Sequence, residues 1–124
     1  MTKRGEIYKC EICGNIIEVL HEGAGELVCC GQAMSLIPEK DKGAGEKKHK
    51  PVIKFTEEGI IVKVGSVPHV MNKDHYIMWI EAITENAIER KYLNPEDQPY
   101  ATFKIKAKKV REYCNLHGLW ITET

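Results

Sequence analysis

Ala101-Thr102-Phe103-Lys104-Ile105-Lys106-Ala107 alternates apolar and polar residues without a break. A period of two puts Ala101, Phe103, Ile105 and Ala107 on one face of an extended chain and Thr102, Lys104 and Lys106 on the other. The stretch therefore predicts a strand with one buried face. The same reading recurs outward from it. Ala87 to Leu93 is a short strand pattern ending at Asn94-Pro95, and Tyr76 to Ile83 is rich in apolar and aromatic residues. Further upstream, Val52 to Phe55 and the β-branched run Ile60-Ile61-Val62-Lys63-Val64 flank a hairpin turn at Glu58-Gly59. No window repeats apolar residues at helical spacing, and turn signals recur at the interval of an antiparallel sandwich or barrel, so an all-β domain is expected.

The whole chain has 124 residues, 43% hydrophobic and 29% charged, which suits one modest core and excludes a large multidomain enzyme, a disordered polyelectrolyte and a membrane protein. Eighteen Lys plus Arg balance eighteen Asp plus Glu. A net charge of zero argues against holding nucleic acid by bulk electrostatics, so any attraction for an anion must be local. The N-terminus, Met1 to Glu6, leads into no apolar stretch of signal-peptide length and no run approaches a membrane span, so a cytosolic protein is expected. Reduced thiols follow from that compartment, and closely spaced cysteines read as metal ligands or redox groups rather than disulfides.

Residues 38–50, Pro-Glu-Lys-Asp-Lys-Gly-Ala-Gly-Glu-Lys-Lys-His-Lys, nearly lack apolar side chains and read as a linker or mobile basic loop. They divide a domain at 1–38 from one at 39–124. The first holds four of the five cysteines and is short enough to need a staple. Cys10-Glu11-Ile12-Cys13-Gly14 is a CxxC knuckle, and Cys29-Cys30-Gly31 adds two more thiols. Four thiolates suit zinc or a single iron, and ligand identity alone does not separate the two. The adjacent pair requires a bend in the backbone to bring both sulfurs to one ion.

The fifth cysteine lies in Cys114-Asn115-Leu116-His117-Gly118, where a thiolate and an imidazole three residues apart can reach one ion. His69 and His75 flank Val70-Met71-Asn72-Lys73-Asp74, and His49 follows Lys47-Lys48. Each of these taken singly reads more readily as a surface or hydrogen-bonded histidine than as a ligand. Together they mean more, because loops distant in sequence converge at one end of an all-β domain.

The CxxC and Cys-Cys module, Lys48-His49-Lys50-Pro51-Val52-Ile53, Gly65-Ser66-Val67-Pro68-His69, Asp74-His75-Tyr76 and Glu112-Tyr113-Cys114-Asn115-Leu116-His117-Gly118 together resemble desulfoferrodoxin, the two-iron superoxide reductase family. The resemblance runs through nearly the whole chain. It implies a small desulforedoxin-like, rubredoxin-type metal domain followed by an immunoglobulin-like β-sandwich. It implies two iron ions per chain: one on Cys10, Cys13, Cys29 and Cys30, the other on His49, His69, His75 and His117 with Cys114 axial. His21 matches no ligand position. The implied activity is that of an oxidoreductase, reducing superoxide to hydrogen peroxide without releasing dioxygen. The implied partners are a rubredoxin-like or other electron donor and a second copy in a homodimer, with no nucleic acid and no membrane.

Charge separates the two implied centres. Ferrous iron with four thiolates is net negative, whereas ferrous iron with four neutral imidazoles and one thiolate is net positive, so an anion is drawn only to the second. Relatives commonly place Glu and then Lys directly before the histidine matching His49. Here those positions are Lys47 and Lys48, and the glutamate, Glu46, lies one residue earlier. The superoxide-guiding role of that lysine passes to Lys48, and the carboxylate role passes to Glu46 only with a shift of the loop.

Two other readings compete. A zinc-ribbon nucleic-acid module would use the CxxC and the many lysines, but it leaves the five outer ligands unexplained. A blue-copper carrier would suit a Cys and a His near the end of a sandwich, but residues 118–124 contain no axial methionine.

Overall fold

The computed structural model describes residues 1–124, and the chain divides into two compact units, Met1–Pro38 and Glu39–Thr124. In the first unit, strands β1 (Ile7–Lys9), β2 (Ile16–Glu18) and β5 (Ser35–Ile37) form an antiparallel sheet with β1 central. Between β2 and β5, β3 (Val28–Cys29) and β4 (Gln32–Ala33) make a separate hairpin. Few apolar residues here are buried, chiefly Ile7, Cys10 and Val19. So small a core leaves much of the stability of this unit to whatever its four thiols bind.

The second unit is a two-sheet sandwich. Its larger sheet has the order β10 (Ile88–Tyr92), β9 (Ile77–Ile83), β12 (Lys109–Cys114), β13 (Gly118–Glu123) and β6 (Glu39–Lys40). The smaller has the order β11 (Tyr100–Phe103), β8 (Ile60–Val64) and β7 (Pro51–Phe55). Ile60, Val62 and Val64 of β8, Ala101 and Phe103 of β11, Ile80 and Ala82 of β9, and Val110 and Cys114 of β12 meet between the sheets as one cluster. Inward-facing alternation from both sheets is what defines a sandwich core. Cys114 thus sits at the end of a core strand, where a register shift between Tyr113 and Cys114 breaks the pairing of β12 with β9.

Three expectations need correction. The 101–107 alternation forms a ladder only through Phe103, because the partner strand β8 begins at Ile60, opposite Phe103. Before it, the chain passes so close that a Cβ on Gly59 would lie 1.9 Å from the Phe103 carbonyl oxygen. Ala107 is nevertheless buried.

Residues 38–50 are not a free loop. β6 pairs in parallel with β13, and a four-residue helix, α1 (Glu46–His49), carries Lys47, Lys48 and His49. Helix α1 is docked through its Lys47 carbonyl, which accepts from Val67 N–H at 3.1 Å and from Ser66 Oγ at 3.3 Å. Gly65 makes that approach possible. A Cβ there would lie 2.7 Å from both the Lys47 and Lys48 carbonyl oxygens, and its φ of 81° is the left-handed conformation glycine tolerates. Finally, α1 is a helical turn where no helix was expected.

Candidate metal centres

In the first unit the CxxC turn starts where β1 ends. Cys10 N–H donates to Asn15 O at 2.8 Å, Gly14 N–H returns to Cys10 O at 2.9 Å, and Gly14 has a φ of 86°. The adjacent cysteines are brought together by the β3–β4 hairpin. Its two-residue turn is Cys30-Gly31, with φ of 55° and 77°, the two positive values that a type I′ turn requires. For Cys30 this left-handed conformation costs about 1–2 kcal/mol. It is the backbone bend that the adjacent pair demanded.

The four sulfurs lie within 4.8 Å of one another, with Cys13 and Cys29 at 3.6 Å and Cys29 and Cys30 at 3.9 Å, and all remain free thiols. Backbone N–H donation, led by Cys13, lowers the Cys10 thiol to about 6. Hydrogen bonding to neighbouring sulfurs raises Cys29 and pushes Cys30 up to about 12. The pocket thus favours a thiolate at Cys10 and resists ionisation of Cys29 and Cys30 until a cation enters. That is the chemistry of an S₄ metal site, and it fits iron or zinc.

In the second unit, donors of His49, His69, His75, Cys114 and His117 all lie within 4.8 Å of one another. The imidazoles form a closed circuit. Centroids are 4.7 Å apart for His49–His69, 4.7 Å for His69–His75, 4.9 Å for His75–His117 and 4.7 Å for His117–His49, while His49 and His75 are 6.5 Å apart across it. Near-equal sides and a longer diagonal describe a near-square of four rings. Neighbouring rings are tilted steeply, by 62° to 83°.

Second partners fix which nitrogen is available. His49 Nδ1 is 2.8 Å from Gly45 O and His69 Nδ1 is 2.5 Å from Val70 O, so each Nδ1–H donates outward and leaves an Nε2 lone pair facing inward. Those two Nε2 atoms are 3.1 Å apart. His75 Nε2 is buried without a hydrogen-bond partner, as a ligand atom awaiting a cation would be. His117 turns Nδ1 toward Cys114 Sγ at 3.7 Å. Burial holds His69 down at about 4 and lowers His49 and His75 from their ordinary value, so these three imidazoles are neutral donors at neutral pH. Burial raises the Cys114 thiol, against N–H donation from Leu116 and His117, so a bound cation must assist its ionisation.

Within the group His117 is exposed and His75 half-buried, while His49, His69 and Cys114 are buried. Lys48 is exposed on α1, and its charge contributes to the lowering of His75. Glu46 occupies the first turn of α1, and its carboxylate is not among the five clustered donors. His21 is exposed and outside both groups.

Sequence reading passed over several residues that build this site. Asn115 clamps two loops together: its Oδ1 accepts from Tyr76 N–H and its Nδ2 donates to Asp74 O, both at 3.0 Å. Lys40 and Trp120 also reach the His117 backbone. An asparagine next to a ligand cysteine was a readable signal; a lysine in a charge run was not.

Known proteins divide the chain in the same way. A family model described as "Desulfoferrodoxin, N-terminal domain" matches residues 2–37, and one described as "Desulfoferrodoxin" matches residues 41–123. A desulfoferrodoxin from Syntrophotalea carbinolica is 56% identical over 125 residues, covering 99% of each chain. Among solved structures, the superoxide reductase from Treponema pallidum matches with a TM-score of 0.78 at 26% identity, covering 95% of this chain and 96% of that one. The superoxide reductase (1Fe-SOR) from Giardia intestinalis matches with a TM-score of 0.52 at 28% identity, covering 63% of this chain and 97% of that one. With family models matched over residues 2–37 and 41–123 and the two donor groups in place, the chain belongs to the desulfoferrodoxin family.

Proposed function

We propose that this protein reduces superoxide to hydrogen peroxide at a ferrous ion held by His49, His69, His75, His117 and Cys114. One observation carries the reading: donor atoms of four imidazoles and one thiol converge within 4.8 Å of one another, with His117 exposed and His75 half-buried. Bound there, ferrous iron supplies the single electron that superoxide needs, and two protons complete hydrogen peroxide. The names of the structural relatives support the same reading, including one that covers 63% of this chain.

The chain's own residues do the rest. Neutral imidazoles leave the positive charge of the centre largely uncompensated, which favours an arriving anion. Lys48, exposed on α1 and with its charge acting on His75, adds a cation that favours an arriving anion and offers a hydrogen-bond donor to an anionic oxygen. Cys114 supplies the one anionic, electron-donating ligand, and burial keeps water away from its sulfur. Glu46 can take the carboxylate role only by leaving its place in the first turn of α1.

Cys10, Cys13, Cys29 and Cys30 would hold the second iron of the chain, which would staple the small unit and supply a one-electron redox centre. A one-electron carrier of rubredoxin type returns the catalytic ion to the ferrous state, in the cytosol, on a homodimer.

Metal analysis joined to rapid mixing tests this reading. Two irons per chain and oxidation of the His₄Cys ion by superoxide are expected. Zinc in both groups, with no reaction toward superoxide, contradicts it.

A further inference from the structure

Two residues outside the ligand group converge on the backbone of one of its histidines. Strand β6 has only two residues, and its parallel pairing with β13 sets Glu39 opposite Leu119 and Lys40 opposite Trp120. Glu39 is bound by Arg111 at 3.1 Å, and Arg111 is bound to the fully buried Glu81 at 2.7 Å. An ion-pair chain therefore anchors the strand, and its second residue arrives at a defined place.

Lys40 Nζ donates to the His117 carbonyl at 3.1 Å and lies 5.6 Å over the Trp120 ring. The Trp120 indole N–H donates to the same carbonyl, also at 3.1 Å. Gly118, with φ of 84°, makes the turn that follows this carbonyl. The Trp120 ring is buried and lies 5.4 Å from the His49 imidazole, inclined by only 17°. One carbonyl is thus tied by a charged and an aromatic donor, and the aromatic donor supports a second ligand ring.

We infer that Lys40 and Trp120 are positioning residues of the second metal centre. They tether the His117 backbone and pack against His49, so that two of the four imidazoles are oriented before metal enters. The inference rests on the reading that this group holds a metal. Its physical basis is preorganisation: a ligand already in place loses less freedom on binding, and a centre so held releases its ion more slowly. The charge-assisted bond from Lys40 is the stronger tether. Lys40 places its positive charge on the carbonyl of one ligand residue and over the ring that packs against another. A cation there favours the more electron-rich ferrous state. Its ammonium is engaged with a carbonyl and a ring, which separates its role from that of Lys48.

The test uses the full chain loaded with iron and follows chelator-driven release from each group, together with the midpoint potential of the His₄Cys centre. The Cys₄ centre is an internal reference. K40M keeps the stem over Trp120 but loses the ammonium, and W120F keeps a ring beside His49 but loses the N–H. Each should speed release from the second group several-fold and leave the first group unchanged, and K40M should lower the midpoint potential. K40R should restore both readings, and K42M, which removes a neighbouring surface charge, should change neither. The double variant should show less than the product of the single effects, since both bonds end on one carbonyl. K40M indistinguishable from wild type, in a chain that fills both groups, overturns the inference alone. A wild-type chain that takes up metal only in the first group overturns the metal reading and the inference with it.

Discussion

Cys114 Sγ lies 3.6 Å from His69 Nε2, two donors brought together across 45 positions of chain. The contact places a thiol at the end of a core strand against an imidazole from a distant loop. Cys114→Ser should therefore weaken iron binding at the second group by at least about 10–100-fold, the range that follows loss of even an outer partner of a metal ligand. It should also abolish thiolate-to-iron charge-transfer absorption from that centre, while the Cys₄ spectrum persists. Visible spectra of iron-loaded variant and wild type check this. A retained charge-transfer band would remove Cys114 from the ligand set.

Lys48 is exposed on α1, and its charge adds to the lowering of His75 that burial dominates. Lys48→Ala should slow the bimolecular reaction with superoxide by up to about tenfold at low salt and flatten its dependence on ionic strength. Stopped-flow or pulse-radiolysis rates over a salt series supply the measurement. An unchanged rate and slope would mean that Lys48 is only a solvated charge.

Protons compete with metal for the buried imidazoles. Burial lowers His69 from 6.5 to about 4 in the folded chain, so at pH between these values the unfolded chain binds a proton that the folded one refuses. This contribution to stability is fully present above about pH 6.5 and is lost as pH falls toward about 4. The thermal midpoint of the metal-free second unit, followed in the full chain, should drop across that window. His69→Asn should drop less. Parallel profiles for the two proteins would contradict the assignment of a buried, neutral His69.

Glu81 is fully buried between two guanidinium groups, bound by Arg111 at 2.7 Å and by Arg90 at 3.0 Å. Glu81→Ala leaves the buried Arg111 charge without its main partner and should cost about 3–5 kcal/mol in denaturant unfolding. Combining it with Arg111→Met should recover part of the loss, because the double variant leaves no such unpaired charge. Additive losses in a double-mutant cycle would show that the two side chains act independently.

Legibility in the sequence followed how locally each feature is encoded. The CxxC and Cys-Cys pairs are short-range motifs, and even the backbone bend at Cys30 was demanded by two adjacent ligands. In the smaller sheet, β8 showed as a β-branched run and β11 as alternation. The central strand β12 did not, because it buries Arg111 and Glu112 where apolar residues would normally mark a core. Those charges are explicable only in three dimensions: Arg111 through Glu81 and Glu39, and Glu112 as a carboxyl raised well above its usual range by burial. Residues 39–50 misled for the opposite reason. Their polarity resembles a solvated loop, yet Glu39 pairs with Arg111, Lys40 reaches the His117 carbonyl and the Lys47 carbonyl is docked on the turn at Ser66 and Val67. None of those partners is near in sequence.

The central claim is that the five-donor centre reduces superoxide and does not dismute it. The measurement that tests this most directly is the product ratio when the anaerobic, fully ferrous protein consumes limiting superoxide, with peroxide and dioxygen determined together. Reduction predicts one hydrogen peroxide for each superoxide consumed and no dioxygen. One peroxide and one dioxygen for every two superoxide ions would show dismutation and contradict the account.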